Sequence, residues 1–467
     1  MATHDFDLII IGSGSANSMV GPEYDDARVA IIESGTFGGT CLNVGCIPTK
    51  MYVYAAEVAG TIRSASAYGI DAHIDAVRWP DIRDRIFGRI DPISAGGRDY
   101  RAEADNVTLF TGRASFTAPK TLSVAGPDGS TQVITGTRIV IATGARPMIP
   151  DVIARSGVSV HTSDTVMRLD HLPKTMAIVG GGYIASEFAH VFTALGVHVT
   201  VINRSNALLR HLDTEVSEAF TAAAQAQWDV RLGVTIDAIT ADARGGASLN
   251  LSDDTTIETD VVLVATGRIP NSDDMGLDLV GVQVRQDHRI QVDAHGRTTA
   301  PDVWSLGDVS STHQLKHVAN HEAKIVAHNV AHGDDMRSFR HTNVPAAVFT
   351  HPQIATVGLT EAQAREAGHD VTVKVQKYAD VAYGWAMEDT GSFLKLIADR
   401  TTGMLLGAHF LGPQSSSLIQ PLIQAMTFGL PVETMARDQY WIHPALSEVV
   451  ENALLGLDMA PAPSSHE

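Results

Sequence analysis

Met176-Ala177-Ile178-Val179-Gly180-Gly181-Gly182-Tyr183-Ile184-Ala185-Ser186-Glu187 reads as a buried parallel strand, a glycine turn and the start of a helix. Val197-His198-Val199-Thr200-Val201-Ile202 follows as the next strand. Strand, glycine turn, helix and strand make a nucleotide-binding unit, in which a pyrophosphate sits at the helix N-terminus. Gly180, Gly182, Tyr183, Ile184 and Glu187 are the positions this turn and helix start offer to the dinucleotide. The second strand ends in Asn203-Arg204, with Arg210 six residues on and no acid at once. A carboxylate there would repel a 2′-phosphate, whereas an arginine pair binds one. The unit is therefore expected to take NADPH in preference to NADH.

The same pattern occurs earlier. Leu8-Ile9-Ile10-Ile11 leads into Gly12-Ser13-Gly14-Ser15-Ala16-Asn17, and Val29-Ala30-Ile31-Ile32 ends in Glu33. An acid at that point binds ribose hydroxyls. Asn17 stands where a third glycine is usual, and Gly21-Pro22 interrupts the helical pattern, so a short first helix is expected. Two copies imply two dinucleotides. Gly12, Gly14 and Glu33 are expected to hold FAD, because this copy lies near the thiols described below. Arg138 to Pro147 and Val261 to Pro270 resemble each other, and each closes a nucleotide unit. They bring Ala142, Thr143 and Gly144 to the first dinucleotide and Gly267 to the second. Pro147 with Pro150, and Pro270 with Asn271, are natural boundaries. Val303-Trp304-Ser305-Leu306-Gly307-Asp308 is a short strand ending in an acid that can bind a ribityl chain.

The only two cysteines lie in Gly38-Gly39-Thr40-Cys41-Leu42-Asn43-Val44-Gly45-Cys46-Ile47-Pro48-Thr49-Lys50. Two sulfurs cannot complete a tetrahedral zinc site, which needs about four ligands. They can form one reversible disulfide. A regular helix rises ~7.5 Å over five residues, whereas bridged Cα atoms lie roughly 4.4–6.8 Å apart. The segment must be distorted, and Gly45 supplies the backbone freedom.

The length of 467 residues suggests about three domains. A net charge of −19 argues against nucleic acid or an anionic membrane surface as a partner. No apolar run approaches the ~20 residues of a membrane-spanning helix. Met1-Ala2-Thr3-His4-Asp5 lacks the basic region of a signal peptide, and closely spaced cysteines in a cytoplasmic chain point to catalysis. The 20 histidines show no spaced metal-ligand set, so no metal is expected. The tail from Ala460 to Glu467 reads as disordered. From about His341 the pattern changes to alternating strands (Val371 to Val375, Phe393 to Ile397) and a helical run from Ser416 to Met426. The fold expected is α/β: two Rossmann-like dinucleotide-binding domains plus a C-terminal α+β dimerisation domain. The boundaries are 1–150 for the first part of an FAD domain, 151–270 for an NADPH domain, 271–340 for the second part of the FAD domain, and 341–467 for dimerisation.

The string at 38–48, with His443-Pro444 and Glu448 near the end, resembles the pyridine nucleotide–disulfide oxidoreductases over nearly the whole chain. That resemblance implies a path for electrons: from NADPH to FAD, then to a Cys41–Cys46 disulfide, then by thiol–disulfide exchange to a small-molecule disulfide. It implies that Cys46 faces the flavin and that Cys41 is the interchange thiol. His443 becomes the acid–base partner, oriented by Glu448 and reaching across from a second subunit, so the homodimer shares its active sites. Tyr183 covers one flavin face, and Lys50 with Glu187 forms an ion pair beside it. Gly39, Thr40, Lys50 and Ala319 join the flavin contacts, with Ser163, Asp164 and Lys316 in stretches of similar kind. The chain has no amino-terminal metal-binding extension and no cysteine pair in its tail. That leaves the members that reduce a low-molecular-weight disulfide. Residues 51–58, 87–93, 381–389 and 439–446 resemble the members acting on mycothione. Glutathione-disulfide reduction, dihydrolipoamide dehydrogenation and a non-catalytic flavin redox sensor stay as alternatives.

Overall fold

The computed structural model describes residues 5–242 and 245–459. The readings made on Met1 to His4 and on the tail from Ala460 lie outside the described residues.

The first sheet has a parallel core in the order Val107–Thr111, Val29–Glu33, Phe6–Ile11, Thr131–Ile141, with Val303–Ser305 beside the last. Leu8, Ile9 and Ile10 are buried on both faces, which is why this strand is continuously apolar. Leu8 and Ile10 pack under Ala323, Val326 and Val330 of helix Lys316–Ala331. Ile9 and Ile11 pack against Phe116 and Leu122 of an antiparallel layer. The second sheet is wholly parallel, in the order Asp229–Leu232, His198–Asn203, Thr175–Val179, Val261–Val264, His161–Thr162. Short strands Ala145–Pro147 and Arg268–Pro270 pair antiparallel where the chain passes between the two units.

The two glycine turns share a constraint. Gly12 has φ +107°, and a Cβ there would lie 2.3 Å from the Ala142 carbonyl oxygen. Gly180 has φ +133°, and its Cβ would lie 2.3 Å from the Ala265 carbonyl oxygen. Only glycine fits either place. The first turn is followed by 3₁₀ segments Ser15–Met19 and Pro22–Tyr24 and so by no α-helix at all. The near-buried Arg101 repairs the interruption. Its guanidinium donates to the Asn17 side chain at 2.9 Å and to the carbonyls of Asn17 and Val20 at 2.7 and 3.0 Å.

The C-terminal unit is a five-stranded antiparallel sheet in the order Ala346–Val348, Ile354–Gly358, Met404–Leu411, Phe393–Asp399, Val371–Lys377. The single helical run expected from Ser416 to Met426 is two helices, Ser415–Leu418 and Gln420–Phe428. Pro421, in the first turn of the second, has no N–H to continue the first.

Buried Lys395 ties this sheet to the second nucleotide unit. Its ammonium lies 3.0 Å from Asp213, 2.8 Å from Glu361 and 3.4 Å from Glu215. Asp213 caps helix Thr214–Gln225 and also accepts the Glu361 amide at 3.1 Å. Burial alone would raise the Asp213 pKa, but the Glu361 amide and Lys395 hold it below the usual carboxylate range. Removing one partner of such a cluster strands charge away from water. Lys395→Met is expected to cost about 3–5 kcal/mol, read as a lower urea midpoint; an unchanged midpoint would deny the cluster its structural role.

Candidate active site

A cleft of about 1180 Å³ opens between the units. It gathers the first glycine turn, the thiol segment, the crossover strands and one edge of the C-terminal sheet. Gly12, Gly14, Glu33, Gly39 and Thr40 line it, as do Ala142, Thr143, Gly144, Asp308 and Ala319.

Helix Gly39–Asn43 stops at Val44, and helix Cys46–Ser64 starts afresh after Gly45. That break is the distortion the spacing requires. A Cβ on Gly45 would lie 2.9 Å from the Thr40 carbonyl oxygen and 3.1 Å from the Cys41 Cα, so the backbones meet too closely for any side chain. Both cysteines are free thiols, Cys41 half-buried and Cys46 exposed to the cleft. They are hydrogen-bonded to each other. Donation from Cys41, helped by the charge of Lys50 one turn along the helix, brings the Cys46 pKa down to about 7. The same bond, with burial, pushes Cys41 up. The pair thus favours the proton on Cys41 and the negative charge on Cys46.

Lys50 lies 2.5 Å from Glu187, which heads towards it from helix Tyr183–Ala194 of the second nucleotide unit. The other Glu187 oxygen accepts the Phe349 amide at 3.0 Å, and the Lys50 ammonium stands 4.1 Å from the Phe349 ring centre. Tyr183 and Ile184 line the cleft beside Glu187. Burial pushes the Tyr183 phenol up to about 12, and the charges of Arg268, Asp308, Cys46 and Glu187 reach it.

Glu33 accepts from the Ser13 amide and hydroxyl at 2.9 and 2.7 Å and from Gly35 at 2.8 Å, which fixes the end of its strand. Asp308 is raised by burial. Its turn is held by the buried Glu322, which accepts the Gly307 amide at 2.7 Å. Lys316 donates to Ser15 at 2.9 Å, and Ser163 and Asp164 also line the cleft. These residues fit a dinucleotide. A Cβ on Gly39 would lie 2.7 Å from the Gly14 Cα, so the floor is bare backbone, and Glu33 waits at the strand end.

The remaining expected nucleotide residues lie apart. Gly180, Gly182, Arg204, Arg210 and Gly267 do not line the cleft. Arg204 and Arg210 are exposed on the loop after strand His198–Asn203 and make no ion pair among the described residues. Two contacts tie that loop to the second glycine turn. The Leu209 amide donates to the Gly181 carbonyl at 2.8 Å. The Asn203 carboxamide occupies the space where a Gly181 Cβ would be, at 2.5 Å, and donates to the Ser205 and Ala207 carbonyls.

His443 Nδ1 lies 2.7 Å from Glu448, whose other oxygen accepts the Ala445 amide at 3.3 Å. The pair is built, but the His443 side chain is 72% exposed and does not line the cleft. One chain alone does not bring it to the thiols. Phe349 and Arg268 are among the cleft residues that escaped the sequence reading. Phe349 carried no motif. Arg268 sits directly after Gly267, and its guanidinium is 7% exposed, 4.0 Å from Asp164 and bonded to the Ala145 carbonyl.

Residues 6–323 match the family model described as pyridine nucleotide-disulphide oxidoreductase, and residues 344–454 match that family's dimerisation domain. The chain belongs to the pyridine nucleotide-disulphide oxidoreductases. It is 55% identical over 467 residues to mycothione reductase of Mycobacterium tuberculosis (strain ATCC 25618 / H37Rv), covering 97% of this chain and 99% of that one. It is 35% identical over 432 residues to glutathione reductase of Burkholderia cepacia, covering 91% and 93%. Among solved structures, the HOCl-induced flavoprotein disulfide reductase RclA from Escherichia coli, as a Cu(II) complex, superposes with a TM-score of 0.86 at 30% identity, covering 97% and 99%. Pyridine nucleotide-disulphide oxidoreductases of this kind work with FAD and NAD(P)H, and this chain is an enzyme of that class. Its dimerisation domain and its relatives support a homodimer acting on a small-molecule disulfide. No helix among the described residues is long and apolar enough to cross a membrane.

Proposed function

We propose that the chain is a cytoplasmic, NADPH-dependent reductase of mycothione, the disulfide of mycothiol. The observation that carries this reading is a hydrogen-bonded thiol pair in a nucleotide cleft, in a chain 55% identical to a mycothione reductase. Residues 1–150 and 271–340 form its FAD domain, 151–270 its NADPH domain and 341–467 its dimerisation domain.

Gly12, Gly14, Glu33, Gly39, Thr40, Ala142, Thr143, Gly144, Asp308 and Ala319 hold FAD. Gly180, Gly182, Ile184, Arg204, Arg210 and Gly267 hold NADPH. FAD, when bound, supplies the two-electron relay from NADPH that opens the Cys41–Cys46 disulfide. Tyr183, at the first turn of its helix, moves aside to admit the nicotinamide. Lys50, held in place by Glu187, places positive charge beside Cys46 and favours its thiolate, against the smaller opposing charge of Glu187. Cys41 gives up its proton to His443 of the partner subunit and attacks one substrate sulfur. An S–S bond forms between Cys41 and that half of the substrate, and the other half leaves as a thiolate. His443 of the partner subunit protonates the departing sulfur, its ring aligned by the partner's Glu448. Cys46 then attacks the Cys41 sulfur, the internal disulfide re-forms, and the second half leaves as a thiolate that takes its proton from solvent.

The assay compares turnover of mycothione with that of glutathione disulfide, NADPH being the donor. Mycothione is expected to be strongly preferred; equal or faster turnover of glutathione disulfide would remove the substrate assignment. Arg204→Ala tests the donor. The KM for NADPH is expected to rise about tenfold or more through the lost phosphate contact, with the KM for NADH unmoved. An unmoved KM for NADPH would favour an NAD-linked dihydrolipoamide dehydrogenase instead.

A further inference from the structure

We propose that Glu23, His328 and His332 form a site for a borderline divalent cation such as Zn(II). One ligating atom from each side chain lies within 4.8 Å of the other two. The histidines stand one turn apart at the C-terminal end of helix Lys316–Ala331, the helix whose first turn lines the cleft.

Backbone carbonyls set their tautomers. Nε2 of His328 lies 2.8 Å from the Asp335 carbonyl oxygen, and Nδ1 of His332 lies 3.1 Å from that of His328. A carbonyl only accepts, so each of these nitrogens carries the proton. Nδ1 of His328 and Nε2 of His332 therefore hold the lone pairs that a metal needs. His328 is only 9% exposed, and its Nδ1 has no hydrogen-bond partner among the described residues. The Asp335 carboxylate stands 3.5 Å from Nε2 of His328, where an outer carboxylate raises the basicity of a ligating imidazole.

Glu23 is delivered by the turn Pro22–Tyr24. The Tyr24 hydroxyl holds that turn on the helix by donating to the Ala327 carbonyl at 2.7 Å. Two imidazoles and a carboxylate suit Zn(II), with water as the fourth ligand. The rings stack with centroids 4.6 Å apart, so the exposed His332 and Glu23 side chains must turn inward to reach Zn–N and Zn–O distances of about 2.0–2.2 Å. Two histidines four residues apart do not make a ligand set on their own, and Glu23 is remote from them in the chain. The bound ion would fasten the 22–24 turn to the far end of the helix that presents Lys316 and Ala319 to the cleft.

The test uses tag-free, FAD-loaded protein in its oxidised form, in which Cys41 and Cys46 are bridged and take no metal. Zinc affinity is measured by competition with a chromophoric chelator for the parent, His332→Ala and Glu23→Gln, all three shown to be folded by circular dichroism. One zinc per chain is expected, bound about tenfold or more weakly by each variant. Zinc should also raise the melting temperature of the parent more than that of either variant. Equal affinity in the three proteins, or no zinc bound to the parent, overturns the site.

Discussion

Cys41→Ser protein is expected to turn over mycothione at less than about one part in 10⁴ of the parent rate. The hydroxyl cannot take the place of a thiolate, and Cys46, the one thiol that remains, has no partner with which to re-form the internal disulfide. The variant should still fold, since Cys41 is half-buried and its replacement is nearly isosteric. FAD content, read from the flavin absorbance, should match the parent. A variant that keeps turnover within tenfold would end the assignment of Cys41 as the interchange thiol.

His443→Ala is expected to lower kcat by about 10²- to 10⁴-fold, the usual worth of a positioned acid–base group. Addition of NADPH should still expose both thiols to a thiol reagent, because His443 takes no part in opening the internal disulfide. An unchanged kcat would undo the acid–base role. The exposed setting of His443, away from the cleft of its own chain, gives a sharper version of the test. Co-expressed Cys41→Ser and His443→Ala chains form mixed dimers. If each site takes its thiols from one chain and its histidine from the other, a mixed dimer keeps one intact site. Random pairing then restores about a quarter of the parent rate from two inactive parents. If thiols and histidine belong to the same chain, the mixture stays inactive.

The parts of the site that follow from local backbone were legible in the sequence. Gly12 and Gly180 announce themselves because no other residue survives 2.3 Å from a facing carbonyl. Gly45 between the thiols broke the helix where the spacing said it must. The Lys50–Glu187 pair was legible only through the family resemblance, since the two residues come from different units. What depends on tertiary packing alone was not legible. Arg101 leaves no local trace of its task at Asn17 and Val20. Phe349 reaches the site by its amide and its ring, neither of which a motif can mark. The helical run from Ser416 was read through Pro421 because apolar periodicity outweighed the missing N–H.

The Glu187 carboxylate touches Lys50 from the thiol helix and Phe349, just past the edge strand Ala346–Val348 of the C-terminal unit, at once. Three units of the molecule are thereby stapled at a single acidic group. Parting them like a jaw would tear an ammonium from its counter-ion.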